Sequence, residues 1–384
     1  RGPGGGSGPR LMFMQSNGGL TDAHRFQGKD AILSGPAGGI VGAVRTSLAA
    51  GFERIIGFDM GGTSTDVSHF AGEFERAFET QVAGVRMRAP MMSIHTVAAG
   101  GGSILHFDGA RYRVGPDSAG ANPGPASYRR GGPLAVTDAN VMLGKVQPQY
   151  FPHVFGPEGD QPLDADRVRA EFTALAARIG DGRSPEAVAE GFVQIAVGNM
   201  ANAIKHISVQ RGHDVTEYTL CCFGGAAGQH ACLVADALAM TRVFIHPLAG
   251  VLSAYGMGLA DQTEMREKAV EAKLGSAALG AELDSLATAA GEELVLQGVE
   301  PSRVRVLRRV HLKYEGTDTA LIVPYGSVED MTAAFEAAYR KQFSFLMRGK
   351  QLIVEAVSVE ALSAGESFRP AAESGGGAIG EKPR

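Results

Sequence analysis

Residues 55–70 read IIGFDMGGTSTDVSHF, in which an apolar segment runs directly into glycine, hydroxyl and carboxylate side chains. Phosphate oxygens need several N–H donors that converge from one concave surface, and glycine lets the backbone curl tightly enough to supply them. The two glycines would form the turn, and the hydroxyl side chains after them can add donors. These residues are Gly61, Gly62, Thr63, Ser64 and Thr65. The pattern predicts a phosphate-binding loop.

Two carboxylates flank this loop. Asp59, at the end of the first predicted strand, can hold magnesium through water or orient an attacking water, and Asp66 can do the same or brace the turn. The alternative is a plain β-hairpin, because D-x-G-G is also an ordinary turn signal. A plain hairpin needs neither a third hydroxyl nor a second carboxylate. The surplus of polar groups therefore favours phosphate chemistry.

A second glycine loop, CFGGAAGQHA (222–231), lies between a predicted buried strand and a predicted helix. Backbone N–H groups and the helix dipole at such a junction favour an anion or the polar edge of a nucleotide. The candidate contacts are Gly224, Gly225, Ala226 and His230. For His230, contact with adenine or phosphate and a plain helix cap are both open.

Neither glycine loop matches the two commonest nucleotide-binding motifs. G-x-x-x-x-G-K-[ST] is absent, and neither loop is a G-x-G-x-x-G run that opens a βαβ unit. A strand–DxGGT–strand hairpin followed later by a strand–GG–helix loop is instead what the actin-like ATPase (ribonuclease H-like) fold uses. The predicted fold class is therefore α/β of this type, mainly its second lobe, with the nucleotide between two lobes.

Composition limits the classes of function. The chain has 384 residues, 44% hydrophobic and 20% charged, which is enough for two or three packed domains. A net charge of −5 gives no basic field for nucleic acid, and no apolar run of ~18 residues could span a bilayer. Cys221, Cys222 and Cys232 argue against a disulfide framework, and we expect them to be buried as small hydrophobic residues. These features predict a soluble cytoplasmic protein without a nucleic-acid or membrane partner.

Strand and helix patterns alternate along the chain. Apolar spacing predicts a helix over 164–179, and Ser184 followed by a proline predicts the start of a long helix that ends near Gln210. The strand after the opening loop is predicted over 66–78. The predicted segments are a flexible lead-in (1–10), an actin-like core with the end of the first lobe and the second lobe (11–262), a smaller α+β C-terminal region (263–365) and a flexible tail or linker (366–384).

Six stretches, taken in order, resemble the hydantoinase A/oxoprolinase family. The resemblance covers roughly residues 11–365 and rests on long, specific segments. They are MQSNGGL (14–20), LSGPAGGIVGA (33–43), FDMGGTSTDVS (58–68), VAAGGGS (97–103), VGPDSAGANPGPASYRRGGPLAVTDANVMLG (114–144) and CFGGAAGQHACLVADAL (222–238). The finer features AGEFERAFE, FGPEGDQPL, GGAAGQHAC and KYEGTDTALIV are most similar to the ATP-dependent 5-oxoprolinase branch of the family.

That resemblance implies cleavage of the lactam of 5-oxo-L-proline to L-glutamate, driven by ATP with Mg²⁺ or another divalent cation. Asp59 is then the candidate metal ligand, and Asp59, Asp66 and Asp138 are the candidate catalytic residues. Phosphorylation of the lactam oxygen would remove the amide resonance that makes the ring unreactive. Open alternatives are an N-methylhydantoinase or the related subunit of an acetone-type carboxylase. Alternatives of another class are a non-catalytic, nucleotide-gated module and a structural remnant that binds no nucleotide.

The sequence departs from the family pattern in one respect. Actin-like domains carry two Asp-Gly-Gly-Thr-type loops, one opening each lobe, whereas these 384 residues contain only the loop at 59–66. The resemblance therefore implies an internal piece of a larger enzyme. Its expected partners are a small lactam, the missing first lobe and a hydrolytic half or subunit, and the complete enzyme is expected to be a homo-oligomer. The isolated chain is expected to show weak or absent turnover.

The loop GPDSAGANPGPASYRRGGP (115–133) is too long and too rich in glycine and proline for a plain connection. Its candidate substrate contacts are Asp117, Ser118 and Asn122, and its candidate phosphate or carboxylate contacts are Arg129 and Arg130. The alternative is a well-packed irregular loop with two solvated arginines.

Four further polar residues lie at predicted helix ends. Asp138 and Asn140 occupy a strand-to-helix junction, where N-capping explains one of them and a metal or substrate contact is the alternative for Asp138. Lys205 and His206 lie near the end of the long helix. Solvation or interaction with the helix dipole is favoured over catalysis for this pair.

Overall fold

The computed structural model describes residues 10–82, 85–276 and 278–363. The predicted tail over 366–384 and all but the last residue of the predicted lead-in lie outside the described residues. The strands are β1 (Met12–Met14), β2 (Leu20–Asp22), β3 (Arg54–Met60), β4 (Thr65–Ala71), β5 (Arg76–Val82), β6 (Val85–Met92), β7 (His95–Val97), β8 (Ser103–Phe107), β9 (Tyr112–Ser118), β10 (Thr219–Phe223), β11 (Val243–Phe244), β12 (Thr263–Lys273), β13 (Val304–Tyr314), β14 (Leu321–Pro324) and β15 (Leu352–Ser363). The helices are α1 (Ser34–Ala49), α2 (Val136–Met142), α3 (Ala165–Ile179), α4 (Pro185–Ile207), α5 (Ala231–Ala237), α6 (Leu252–Leu259), α7 (Leu279–Leu296) and α8 (Val328–Phe343).

A five-stranded sheet with the order β11-β10-β3-β4-β7 forms the centre of the larger part of the chain. β3 and β4 form an antiparallel hairpin, β7 pairs antiparallel with β4, and β10 runs parallel to both β3 and β11. Parallel neighbours require a crossover connection, and the one between β3 and β10 contains α2, α3 and α4. Consequently the chain segments that follow β3 and β10 leave the sheet at the same edge.

Helices cover both faces of this sheet, so its strands are apolar on both sides. Ile56 and Phe58 point into one core with α2 to α5, whereas Ile55 points into a second core with α1. The second core depends on close helix contact, because a Cβ on Gly42 of α1 would lie 2.6 Å from the carbonyl of Leu252 of α6. The small-residue sequence of α1 thus allows α6 to pack directly on its backbone.

The C-terminal part of the described chain forms an antiparallel sheet with the order β12-β15-β13-β14. α7 and α8 bury one face of it around Leu283, Leu312 and Phe335. Period-two alternation predicted the strand that forms β13. The sheet and its two helices together form an α+β region. No helix in the described ranges is both long and apolar enough to cross a membrane.

The predicted elements agree with the structure except at a few ends. The helix predicted over 164–179 is confirmed as α3, and the long helix begins after Ser184 but ends at Ile207. The single strand predicted over 66–78 is wrong beyond Ala71. Gly72, with φ +101°, turns the chain before β5 begins. The mixed α/β class is confirmed.

Candidate functional site

The predicted phosphate loop is the turn between β3 and β4. Met60 pairs with Thr65, and the Gly61 N–H donates to the Ser64 carbonyl at 3.0 Å, so residues 61–64 form the tip. Gly62 and Thr63 are exposed at this tip. A plain hairpin and a phosphate-binding loop would therefore have the same backbone here. The choice between them depends on the hydrogen-bond donors that the tip exposes.

The tip presents three successive backbone donors. Among the residues that the structure describes, the N–H groups of Gly62, Thr63 and Ser64 have no hydrogen-bond acceptor. The hydroxyl groups of Thr63 and Ser64 likewise make no hydrogen bond within the described ranges. Consecutive N–H groups in a turn form a concave donor surface for an anion. This is the arrangement expected of a phosphate clamp and is more than a plain turn requires.

The second glycine loop lies beside this hairpin because β10 is the parallel neighbour of β3. Phe223 pairs with Asp59, and the Ala226 N–H donates to the Met60 carbonyl at 3.0 Å. Gly224 has φ +86°, and a Cβ there would lie 2.3 Å from Oδ1 of Asp59. Glycine is thus required both by the backbone conformation and by the position of the carboxylate.

A third glycine loop, residues 100–102, completes the group and was not among the predicted site residues. The Gly101 N–H donates to the Gly61 carbonyl at 3.1 Å, and the Gly102 N–H donates to the Gly62 carbonyl at 2.5 Å. A Cβ on Gly100 would lie 2.5 Å from the Ser64 nitrogen. Three consecutive glycines in AAGGGS were the available signal, since only glycine allows backbone to approach backbone so closely.

The carboxylates of Asp59 and Asp66 lie on one face of the hairpin. They are directly opposite in the β3–β4 register, which places their Cβ atoms about 5 Å apart. Burial, together with the charge of Asp66, raises the pKa of Asp59 to about 6. Asp66 accepts a hydrogen bond from the Thr96 hydroxyl at 2.6 Å. Two partly buried like charges in this position form a donor set suited to a divalent cation.

A small cleft opens on the same face. Its lining includes both carboxylates, Phe223, and Pro36 and Ile40 from the first turns of α1. Ser68, the next residue of β4 on this face, also lines it. The cleft, the hairpin tip and the second glycine loop are therefore contiguous.

Thr65 does not fit its predicted role as a phosphate donor. It is fully buried, and its hydroxyl donates to the Ala99 carbonyl at 2.5 Å. The hydrogen bond fixes the base of the hairpin to the segment that leads into the third loop. We therefore interpret Thr65 as a structural residue and leave it out of the proposed site.

Asp138 is placed in a structural position. Its side chain is fully buried near the start of α2 and accepts N–H donors from Ala126, Ser127 and Ala135 at 2.8–2.9 Å. Burial raises its pKa, and these hydrogen bonds oppose that shift. The carboxylate ties the 115–133 loop to the start of α2, which accounts for the residue without a catalytic role.

His230 is also fully buried, and its Nε2 accepts a hydrogen bond from the Asn140 amide at 3.0 Å. Burial, with a smaller contribution from Lys145, lowers its pKa to about 4, so the imidazole is neutral at physiological pH. The side chain joins the second glycine loop to α2 and does not reach the exposed surface. Of the predicted contacts in this loop, Gly225 is the exposed one.

The 115–133 loop meets the site at one end. Ser118 lies against the third glycine loop, because a Cβ on Gly102 would approach its Oγ to 3.0 Å. Asp117 and Asn122 are exposed. The two arginines point elsewhere. Arg129 pairs with Asp164 at 2.8 Å, and Arg130 donates to the Gly156 carbonyl at 3.1 Å.

The remaining candidates are Lys205 and His206 of α4 and the three cysteines. Lys205 is exposed on α4, and the His206 Nδ1 contacts the Gln210 side chain at 2.7 Å. Burial raises the pKa of Cys222 to about 12, which keeps its thiol protonated, and Cys221 is buried as well. The prediction of burial is wrong for Cys232, which is exposed on α5.

Comparisons with known proteins converge on one family. A sequence model described as Hydantoinase/oxoprolinase matches residues 3–266, more than half of the chain. The chain is 43% identical over 381 residues to 5-oxoprolinase 1 of Arabidopsis thaliana and 40% identical over 364 residues to the 5-oxoprolinase of Saccharomyces cerevisiae. These matches cover 94% and 92% of this chain, but only 30% and 28% of the relatives. The chain thus spans less than a third of the length of these curated relatives.

A solved structure shares the fold. The crystal structure of an ATP-dependent caprolactamase from Pseudomonas jessenii superimposes with a TM-score of 0.77 at 26% sequence identity. The superposition covers 92% of this chain and 53% of the caprolactamase chain. The shared fold therefore extends over nearly the whole of this chain.

Proposed function

This chain belongs to the hydantoinase/oxoprolinase family, and on that premise we propose that it is the ATP-binding portion of a 5-oxoprolinase-type enzyme. Such an enzyme is an ATP-hydrolysing cyclic amidase that opens the lactam of 5-oxo-L-proline to L-glutamate. One observation carries the proposal. Within the described part of the chain, three N–H groups of the exposed hairpin tip have no acceptor, and they lie directly beside two opposed carboxylates; this arrangement suits the phosphates and the divalent cation of a nucleotide.

We further propose that residues 11–262 form an actin-like core, mainly its second lobe, and that 263–365 form a separate α+β region. The central sheet supports the first part, because the DxGGT hairpin and the later strand–glycine loop–helix unit are neighbours in it. The separate core around Phe335 supports the second. In this arrangement the three glycine loops face the position that a first lobe would occupy.

The residues of the site have separable roles in this proposal. The N–H groups at the hairpin tip and the hydroxyl groups of Thr63 and Ser64 bind phosphate oxygens. Asp59 and Asp66 would hold Mg²⁺, either directly or through water, and a bound cation would neutralise phosphate charge. Gly224 leaves room for the Asp59 carboxylate. Because a lactam amide is stabilised by resonance, transfer of a phosphoryl group to its oxygen prepares the carbonyl for attack by water.

The remainder of the enzyme is part of the proposal. The first lobe and the hydrolytic half or subunit would come from the additional length that the curated relatives possess. This chain alone is therefore expected to retain only one side of a nucleotide cleft. Robust ATP-dependent cleavage of 5-oxoproline by the isolated chain would contradict the division of labour proposed here.

The carboxylate at the end of β3 provides the test. In the complete enzyme, Asp59→Asn should lower ATP-dependent ring opening by about 100-fold or more, because a charge that stabilises the reacting phosphate is removed. Asp236→Asn, at an exposed position of α5, is the matched control and should leave activity unchanged. Circular dichroism of both variants confirms that the fold is retained. If Asp59→Asn is as active as the control, the loop is only a turn.

The substrate is tested by the same assay. ATP hydrolysis by the complete enzyme is measured with 5-oxoproline, with hydantoins, and with acetone plus bicarbonate. The proposal expects stimulation by 5-oxoproline. Stimulation by hydantoins alone identifies an N-methylhydantoinase, and stimulation by acetone plus bicarbonate identifies a carboxylase subunit. Slow hydrolysis that no substrate stimulates identifies a nucleotide-gated module.

A further inference from the structure

A cluster of metal-ligating side chains lies on the face of β4 opposite to Asp66. Because side chains alternate along a strand, His69 points away from the face that carries Asp66 and Ser68. His69 Nδ1 lies 2.6 Å from Oε1 of Glu75, in the connection between β4 and β5, and its ring centroid lies 4.0 Å from that of His213. None of these three residues has a part in the proposed ATP chemistry.

We propose that His69, Glu75 and His213 form a transition-metal site with zinc-type ligand chemistry, separate from the cation site at Asp59 and Asp66. The three side chains offer two imidazole nitrogens and one carboxylate oxygen, and these atoms all lie within 4.8 Å of one another. Ligand atoms at tetrahedral zinc lie about 3.4 Å apart, so small side-chain rotations bring the set onto one ion.

The donor types select the class of metal. Imidazole nitrogen suits zinc, copper, iron, cobalt and nickel, whereas magnesium and calcium prefer oxygen ligands throughout. The site thus differs in chemistry from the two-carboxylate site on the other face of the sheet.

The surrounding residues provide a fourth candidate ligand and hydrogen bonds that orient the three ligands. The Tyr218 hydroxyl lies 2.8 Å from His69 Nε2 and 3.0 Å from His213 Nδ1, so it is placed as a fourth ligand or as a hydrogen-bond partner that orients both rings. Arg211 donates to Oε2 of Glu75 at 2.7 Å and leaves Oε1 directed at His69. Ligating carboxylates are commonly held by such a second partner.

One cation competes with the metal. Lys341 of α8 places its Nζ 2.9 Å from His213 Nδ1 and is itself on the exposed side of the cluster. Its long, flexible side chain can turn into solvent, so a metal ion can replace the ammonium group at the same nitrogen. The occupied site would join the β4–β5 connection to the segment that precedes β10.

Metal uptake by the complete enzyme tests the proposal. The enzyme is stripped with a chelator, dialysed, and titrated with Zn²⁺ against a chromophoric competitor, with Co²⁺ as a spectroscopic probe of imidazole ligation. We expect one zinc ion per chain, bound at least about 10-fold more weakly by Glu75→Gln and by His213→Gln. Lys341→Met should bind at least about 10-fold more tightly, because the competing charge is removed.

The controls separate this site from others. His206→Gln changes an exposed histidine outside the cluster and should leave uptake unchanged, as should Asp236→Asn at an exposed position of α5. Tighter zinc binding by Lys341→Met could not be explained by misfolding, since loss of structure cannot strengthen binding. The proposal is overturned if the wild-type enzyme takes up no zinc at micromolar concentration. It is equally overturned if uptake depends on Asp59 rather than on the histidines.

Discussion

At the scale of single residues, Asp59 carries a carboxylate whose charge is unfavourable in the folded chain unless a ligand binds it. Burial and the neighbouring Asp66 raise its pKa to about 6, so the folded chain holds a proton there more strongly than the unfolded chain does. The folded chain therefore loses stability as the pH rises from the ordinary carboxyl range to about 6, and the full cost is present above that value. A bound cation or a neutral substitute removes this cost.

Stability of the isolated chain should consequently depend on pH through this residue. Asp59→Asn should raise the free energy of unfolding at pH 7.5 by about 2–3 kcal/mol relative to the wild type. The gain should shrink as the pH falls from 6 to 4, because the wild-type carboxyl then becomes neutral in the folded state. Urea unfolding across this range is the measurement. A gain that is constant with pH would show that the pKa of Asp59 is the same in the folded and the unfolded chain.

At the scale of elements, the site depends on glycine positions that let three loops touch. Gly224 is the sharpest example, since its φ is +86° and its neighbour is the Asp59 carboxylate. The exposed Gly225 next to it has no atom within 4 Å of a would-be Cβ. A comparison of the two positions therefore distinguishes a glycine that the structure requires from one that it does not.

Gly224→Ala should destabilise the chain by about 2 kcal/mol and displace Asp59, because the new Cβ meets both a strained backbone and a carboxylate oxygen. Gly225→Ala is the matched control and should change stability by less than about 0.5 kcal/mol. Thermal unfolding and the activity of the complete enzyme measure the two effects. Equal behaviour of the two variants would refute the packing argument.

Several of these elements could be predicted from the sequence. Apolar periodicity and capping residues predicted α3 and α4, and the two glycine loops were predicted as a pair before their strands were known to be neighbours. Thr65 and Asp138 were misassigned because the sequence does not reveal whether a polar side chain meets solvent or an internal N–H or C=O group. The third glycine loop was not predicted as part of the site, because its role depends on its contact with the backbone of the β3–β4 turn.

At the scale of the whole molecule, a buried ion network joins the C-terminal sheet to the rest. Arg76 of β5 makes a two-point contact with Glu360 of β15, at 2.8 and 2.7 Å, and Arg309 of β13 binds the same carboxylate at 2.9 Å. Both Arg76 and Glu360 are less than a tenth exposed. Removing the shared carboxylate would leave the buried Arg76 guanidinium without its ion-pair partner, and Arg309 would keep only its contact with the exposed Glu73.

Glu360→Gln should therefore lower the free energy of unfolding by about 3–5 kcal/mol. Glu355→Gln in the same strand removes a more exposed contact with Lys313 and should cost less than about 1 kcal/mol. Denaturant unfolding followed by circular dichroism compares the two. Similar costs at both positions would mean that the network does not couple the sheets.

The parallel pairing of β10 with β3 also sets the order of events during synthesis. Phe223 and Asp59 lie side by side in the sheet although the segment between them contains α2, α3 and α4. A ribosome adding 5–20 residues per second needs roughly 8 to 33 s to make the about 160 residues that separate them. During that interval the nascent hairpin has its acidic pair but lacks the neighbouring strand and glycine loop. The growing chain therefore cannot complete the contact between the hairpin and the second glycine loop until β10 has been made, and chain connectivity alone imposes this delay.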